Sequence, residues 1–179
     1  MSSTDDLGLL YSKALRIAAS AHELQKDKAG FPYIKHPIAV SQTVGDNLNI
    51  QIVALLHDVP EDTNIGFDVL RAEGFSESIL QAIESVTRRI YPINDVEFNR
   101  SDPKTYVKED YEDFVARSSE NVWGCIVKMQ DLRHNVSLDR LYRCSESFIS
   151  HMIKKYYKAQ IILAEKYIQA CMKVYGRVI

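Results

Sequence analysis

The chain has 179 residues, of which 46% are hydrophobic and 26% charged; that length fits one domain and can bury roughly 70% of the unfolded surface without disulfides. Lys plus Arg number 22 and Asp plus Glu 24, for a net charge of −2, a balance that argues against a nucleic-acid binder working through a basic face. No apolar run suits a signal peptide or a membrane span, and Cys125, Cys144 and Cys171 form no CxxC pair. Neither a zinc ribbon nor a disulfide framework is indicated, and a reduced, soluble, cytoplasmic protein is the expectation.

Helical spacing dominates from the first residues onward. Residues 9–25 place Leu10, Ala14, Ile17, Ala18 and Ala21 on one face. Residues 37–44 and 48–59 read as two further helices, the second built on the apolar run Ile52 to Leu56. A short helix over 66–73 stops at Gly74, a residue suited to a left-handed cap. Ser76 is placed to N-cap a helix through Arg88, with Phe75 and Leu80 as a hydrophobic staple and Arg88-Arg89 at its C-terminus. Residues 90–110 hold two prolines, two asparagines and mixed charges and read as a long loop, of a length that is uncommon and often functional. Residues 111–118 and 121–134 read as helices, and a last helix runs from about 147 to 175. Its stripe is Met152, Tyr156, Ala159, Leu163, Tyr167, Ala170 and Val174. That stripe is either used within the domain or partly exposed for a partner helix, and the second outcome would admit a homo-oligomer. With no repeat or linker, the expectation is a single all-α helical bundle over 1–179.

The chemistry concentrates at Leu55-Leu56-His57-Asp58-Val59-Pro60-Glu61-Asp62-Thr63. An adjacent His-Asp pair ending an apolar helix is carried toward the interior, where a carboxylate is costly unless it is paired or coordinates a metal. Imidazole nitrogen with carboxylate oxygen suits a divalent ion such as Mn, Fe, Zn or Mg. Glu61 and Asp62 each follow that pair by about one helical turn, where a water-activating base is wanted. His36, just before Pro37, falls at a helix start. Asp131 follows the largely apolar stretch 122–129 and is carried inward as well. His36, His57, Asp58 and Asp131 thus form a plausible ligand set from separate helices. His22 and His134 read as structural, His151 as surface, and Arg140 and Lys155 as solvated.

Four ordered segments carry a resemblance to a known family: residues 21–25, 28–37, 54–63 and 128–135, which open on Ala21-His22, Lys28-Ala29-Gly30, Ala54-Leu55 and Lys128-Met129. Over about Ala21 to Leu141 the chain resembles the HD-domain metal-dependent phosphohydrolases, and within them the hydrolase domain of the RelA/SpoT proteins and their single-domain relatives. The resemblance implies an HD-domain helical bundle holding one Mn ion on His36, His57, Asp58 and Asp131. It implies water activation by Glu61 and Asp62 and nucleotide contacts from Lys28, Ala29 and Asn135. The implied reaction removes pyrophosphate from the 3′ position of ppGpp and pppGpp, leaving GDP or GTP.

Two positions depart from the family pattern. Asp27-Lys28 stands where those hydrolases carry Arg-Lys, reversing a charge in the loop expected to face the nucleotide, which bears on specificity more than on catalysis. Pro60 stands where the family has Val, predicting a helix break near Val59 that shifts Glu61 and Asp62. Asp27 and the loop 90–110 motivate a second reading, an HD phosphohydrolase for another nucleotide or a phosphorylated cofactor. Pro60 motivates a third, a metal- or nucleotide-binding module without turnover. A chain of 179 residues leaves no room for a nucleotide-synthesising domain beside the hydrolase.

Overall fold

The apolar run Ile52–Leu56 is the centre of the molecule: all five side chains are fully buried. They belong to α3 (Leu48–Leu56), which is hydrophobic on every side because helices surround it. In the computed structural model, which describes residues 3–94, 96–99 and 101–175, α1 (Ser3–Ala21) and α2 (Lys35–Thr43) pack along α3. A one-turn helix, α4 (Val59–Asp62), follows α3 at once, and then α5 (Phe67–Ala72) and α6 (Glu77–Val86). Two three-residue strands, β1 (Ile90–Pro92) and β2 (Tyr106–Lys108), come next. The chain ends with α7 (Tyr111–Ser118), α8 (Val122–Asn135), the short α9 (Leu138–Leu141) and α10 (Glu146–Tyr175).

Local sequence sets most of these boundaries. The side chains of Asn47, Ser76, Asp110 and Asn121 each accept a backbone N–H in the first turn of α3, α6, α7 and α8. Gly74 has φ +91°; its N–H reaches Arg71 O and the Phe75 N–H reaches Leu70 O, so the left-handed cap expected there is a Schellman pair. Phe75 and Leu80 are both buried in the main core. The first helix ends at Ala21, short of the expected residue 25, because Glu23 to Gln25 turn back toward the loop that Tyr33 closes on Gln25.

The segment 90–110 is where the sequence reading fails. It carries an antiparallel hairpin, with Ile90 paired to Lys108, Tyr91 to Val107 and Pro92 to Tyr106. Its strands are short, largely exposed and contain a proline, so they carry no alternation to read. Arg88 and Arg89 do not finish α6, which stops at Val86. They form the hairpin base: Arg88 Nε donates to Glu109 O at 2.6 Å, and Arg89 N–H to Glu109 Oε2 at 3.1 Å. Arg117 grips the same Glu109 carboxylate with Nε at 2.8 Å and Nη2 at 2.7 Å, which holds that carboxyl below its usual range and fastens the hairpin to α7.

Two apolar clusters share α8. Trp123, Ile126 and Val127 join the main core, whereas Cys125, Met129 and Leu132 pack with Val115, Ala159 and Leu163 of α7 and α10. The α10 stripe is buried at Ala159 and Leu163, but Tyr167 is 56% exposed; the side chains of Ala170 and Val174 lie outside the described residues. Among the described residues no helix is long and apolar enough to cross a membrane.

Helices α6 and α8 approach closely at Gly124. A Cβ there would lie 1.9 Å from Ser85 Oγ and 3.2 Å from Ala82 O. Gly124→Ala should therefore destabilise the fold by about 1–3 kcal/mol through overpacking. Adding Ser85→Ala should recover part of that loss. Urea denaturation of the single and double variants reads both, and equal midpoints for Gly124→Ala and the parent would refute the close approach.

Candidate active site

Three helices deliver the candidate ligands. His36 comes from the first turn of α2, His57 and Asp58 from the break between α3 and α4, and Asp131 from the last turn of α8. Their polar atoms converge. His36 Nε2 is 3.1 Å from Asp131 Oδ1 and 3.5 Å from Asp58 Oδ2; His57 Nε2 is 3.1 Å from Asp58 Oδ2 and 3.8 Å from Asp131 Oδ1. His36, His57 and Asp131 each offer one ligand atom, and these three lie within 4.8 Å of one another. Asp58 sets a carboxylate oxygen against both imidazoles.

The environment fixes how each ligand faces the centre. His57 Nδ1 lies 2.7 Å from Ala54 O, a carbonyl that can only accept, so Nδ1 carries the proton. Nε2 is then the atom turned inward, and it is buried without a hydrogen bond of good geometry. His36 Nδ1 meets His134 Nδ1 at 2.7 Å, with the rings stacked at 5.0 Å. Such outer contacts set ring orientation and tautomer in metal sites. Asp131 spends Oδ2 on Lys128 Nζ at 2.9 Å and receives Asn135 Nδ2 on Oδ1. Tyr33 donates its hydroxyl to Asp58 Oδ2 at 2.7 Å. An orphaned buried imidazole nitrogen among two carboxylates and a second imidazole fits a divalent metal ion.

Charge reinforces the fit. Burial alone would drive His57 down, but the Asp58 and Asp131 carboxylates outweigh it and push the imidazole up to about 10. Burial dominates at His36 and lowers it. Burial would likewise raise Asp131, yet the Lys128 ammonium and the two imidazoles hold it well below the usual carboxylate range. Asp58 is held low against its own burial, chiefly by His57. His134 is pushed down to about 4 by burial and by His36, so it is neutral at physiological pH.

His36, Asp58 and Asp131 open onto a cavity of about 600 Å³. Glu61 and Asp62 stand on its wall, because Pro60 occupies the first turn of α4, where it needs no N–H. The predicted helix break is real, but it falls at His57-Asp58. Glu61 Oε2 accepts the Arg88 N–H at 3.0 Å, and Oε1 is 3.5 Å from Lys108 Nζ, so it anchors the hairpin base. Asp62 is solvent-accessible; the enclosing wall and the neighbouring carboxylates of Asp58 and Glu61 push it up to about 7.

Of the expected nucleotide contacts, Lys28 and Asn135 line the cavity. Ala29 does not: it is 8% exposed, its N–H is donated to Asp27 Oδ1, and it belongs to the inner side of the loop. Arg140 and Lys155, expected on solvated faces, line the cavity, as does Arg88. Their periodicity is that of any surface helix, so the sequence held no signal for them. Tyr33 and Lys128 were within the motifs yet had no role; an invertible sign was present, since a lysine three residues before a buried aspartate can pair with it on one helix face. His22 is buried, with Nδ1 2.8 Å from Gln25 Oε1 and its ring 5.0 Å from Tyr33, and His151 is exposed, as expected.

The site and its setting define a mostly helical HD-type domain whose His and Asp cluster fits a divalent metal. No family model matches the chain. Over 136 residues, 74% of its length, it is 30% identical to a probable guanosine-3′,5′-bis(diphosphate) 3′-pyrophosphohydrolase of Synechocystis. It is 33% identical over 128 residues to a protein named for the same activity in Borreliella burgdorferi, and 28% identical over 127 to the bifunctional (p)ppGpp synthase/hydrolase SpoT of Escherichia coli. The chain spans only 17–18% of the length of these relatives. A solved structure described as a metazoan orthologue of SpoT that hydrolyses ppGpp superposes with a TM-score of 0.56 at 20% identity, covering 95% of this chain and 97% of that one. The chain is thus homologous over most of its length to proteins named for (p)ppGpp hydrolysis, and it shares the HD-domain fold.

Ion binding must displace the proton from His57. About one proton should leave per ion bound at pH 8, and apparent affinity should tighten about tenfold per pH unit below 10. Calorimetry in buffers of different ionisation enthalpy measures this; binding without proton release would contradict the charged His57. In metal-free protein the Asp62 carboxyl should titrate near 7 by NMR. Because its folded value lies above the unfolded one, stability falls as pH rises through about 4 to 7, and Asp62→Asn should flatten that decline. A midpoint below 5 would refute it.

Proposed function

We propose that the chain is a metal-dependent hydrolase of guanosine 3′,5′-bis(diphosphate) and its triphosphate analogue, releasing pyrophosphate from the 3′ position. The convergence of His36, Asp58 and Asp131, with His57 buried behind them, at a cavity that also holds Glu61 and Asp62 carries this reading. The relatives' printed activity supplies the substrate class, and the cavity wall suits it: seven Lys and Arg side chains line it against five carboxylates, in a chain of net −2.

His36, His57, Asp58 and Asp131 would hold one ion, which we take to be Mn because mixed imidazole and carboxylate donors suit it. Such an ion polarises a phosphoryl oxygen and lowers the pKa of water toward 7. Asp62, with a carboxyl near 7, accepts the proton from the attacking water. Glu61 holds the hairpin base in place beside it. Arg88, Lys108 and Lys155 meet the phosphate charge, and Lys28 and Asn135 contact the nucleoside. Tyr33 and Lys128 keep the two aspartates aimed at the centre. Residues 1–179 act as one domain, because α8 serves both apolar clusters and carries Asp131 between them.

The Mn-supplemented protein should release pyrophosphate, not orthophosphate, from ppGpp. Asp58→Ala should lower the rate by at least about 100-fold, and Asp62→Asn by about 100- to 10,000-fold. Metal bound at one ion per chain without pyrophosphate release would discard the assignment.

A further inference from the structure

A second cavity of about 340 Å³ opens beside the first. The two share Asp27, His36 and Arg140 in their walls, so they meet next to a metal-ligand candidate. Arg88, Lys108 and Lys155 line only the first cavity. The side cavity therefore lacks those three cations; its own are Lys35 and the shared Arg140. The side cavity carries aromatic surface: Phe31 and Tyr142 line it with ring centroids 5.9 Å apart, and Tyr142 is 58% exposed. Its volume accommodates a flat heterocycle.

Asp27 stands at the junction, and its carboxylate is divided. Oδ1 accepts the N–H groups of Ala29 and Phe31, both at 2.9 Å. The backbone closes the same turn, with Asp27 N–H to Phe31 O at 2.8 Å and Gly30 N–H to Asp27 O at 3.0 Å. Gly30 supplies the positive φ, +87°, that the turn requires. Oδ2 makes no hydrogen bond among the described residues. One oxygen thus builds the loop and leaves its twin as a fixed acceptor beside an aromatic cavity, an orientation cost already met before any ligand arrives.

We propose that Asp27 selects the nucleobase: its Oδ2 accepts from the N–H and NH2 donor edge of a guanine seated in the side cavity against Tyr142. The proposal rests on the hydrolase reading above and deepens it. Guanine presents two adjacent donors, N1–H and the exocyclic amine. Hypoxanthine keeps only N1–H, and adenine turns an acceptor nitrogen toward the carboxylate. Asp27 is partly buried, and a base seated over its carboxylate would leave Oδ2 without water, so a base that lacks the donor is disfavoured. Asp139 also lines the side cavity, but not the catalytic one, and it serves as the internal control.

Asp27→Asn is the informative variant. The two backbone N–H groups keep the amide oxygen at the Oδ1 position, so the loop is retained, and an NH2 donor replaces the Oδ2 acceptor. The assay compares the 3′,5′-bis(diphosphates) of guanosine, inosine and adenosine with added Mn, for the native protein, Asp27→Asn, Asp139→Asn and Tyr142→Ala. Equilibrium binding of GDP, IDP and ADP to the same Mn-loaded proteins runs in parallel, with thermal melting to certify folding. The native protein should prefer guanine at least about tenfold over either other base. Asp27→Asn should erase that preference through a rise in KM and in the GDP dissociation constant, and it should leave adenine binding equal or tighter. Tyr142→Ala should weaken all three bases alike. Equal losses for all bases in Asp27→Asn, no loss for any, or transfer of the guanine preference to Asp139 would overturn the proposal. Absence of turnover with all three substrates would sink the hydrolase reading alone, because the diphosphate binding series still decides the role of Asp27.

Discussion

Two carboxylates, Asp58 and Asp131, are brought to within 4 Å of the same pair of imidazoles inside an apolar helical body, and the rest of the architecture answers that constraint. Charges so placed persist only when nearly every lone pair has a partner. Asp131 receives Lys128 on one oxygen and Asn135 on the other, with His36 Nε2 3.1 Å from the latter; Asp58 receives Tyr33, and His57 Nε2 faces both carboxylates. Lys128 is itself buried and sits 4.6 Å over the Phe114 ring, which couples α7 to the site. Tyr33, His36 and His57 reach the two aspartates from the loop before α2, from α2 and from the end of α3, while Lys128 and Asn135 share α8 with Asp131, so the cluster ties α2, α3 and α8 together at the point where a purely apolar core would have had no reason to close.

The same economy explains the hairpin. A carboxylate on the cavity wall beside two buried ones would be repelled, yet Glu61 is anchored by the Arg88 N–H and faces Lys108. The strands set those two groups in place, and the Glu109–Arg117 pair fixes the strands to α7. Asp62, next along the chain, has no side-chain hydrogen bond among the described residues and, with Asp58 and Glu61 beside it, keeps a raised proton affinity that Lys108 only partly offsets. The division of labour between adjacent acids follows from which one the hairpin reaches.

Legibility in the sequence followed the locality of the physics. Caps at Ser76 and Gly74 and the extent of α7 could be read because a single side chain or one φ angle decides them. His36, His57, Asp58 and Asp131 could be singled out because polar residues interrupt apolar helical runs, and the family resemblance ordered them. The hairpin could not be read, since its pairing is non-local and its strands have no buried face. Arg88, Arg140 and Lys155 could not be assigned to the cavity, because a cation on a wall and a cation in solvent have the same spacing along a helix. At Ala29 the loop uses the backbone amide, which a motif read by residue type does not reveal.

The two departures from the family pattern are absorbed in different ways, and the difference is instructive about where substitutions are free. Pro60 lies where the chain has already broken its helix at His57-Asp58, so a residue without an N–H costs α4 nothing and Asp62 still donates its N–H to Asp58 O at 2.9 Å. Asp27 cannot be silent in the same sense. Its backbone and one carboxylate oxygen hold the turn that brings Lys28 to the cavity and Phe31 to the neighbouring one. A change of side chain there resets the polarity of the junction between the two cavities, and one that also removes the Oδ1 acceptor loosens the turn. Pro60 is therefore neutral to the fold around it, whereas Asp27 shapes the loop and the walls of both cavities at once.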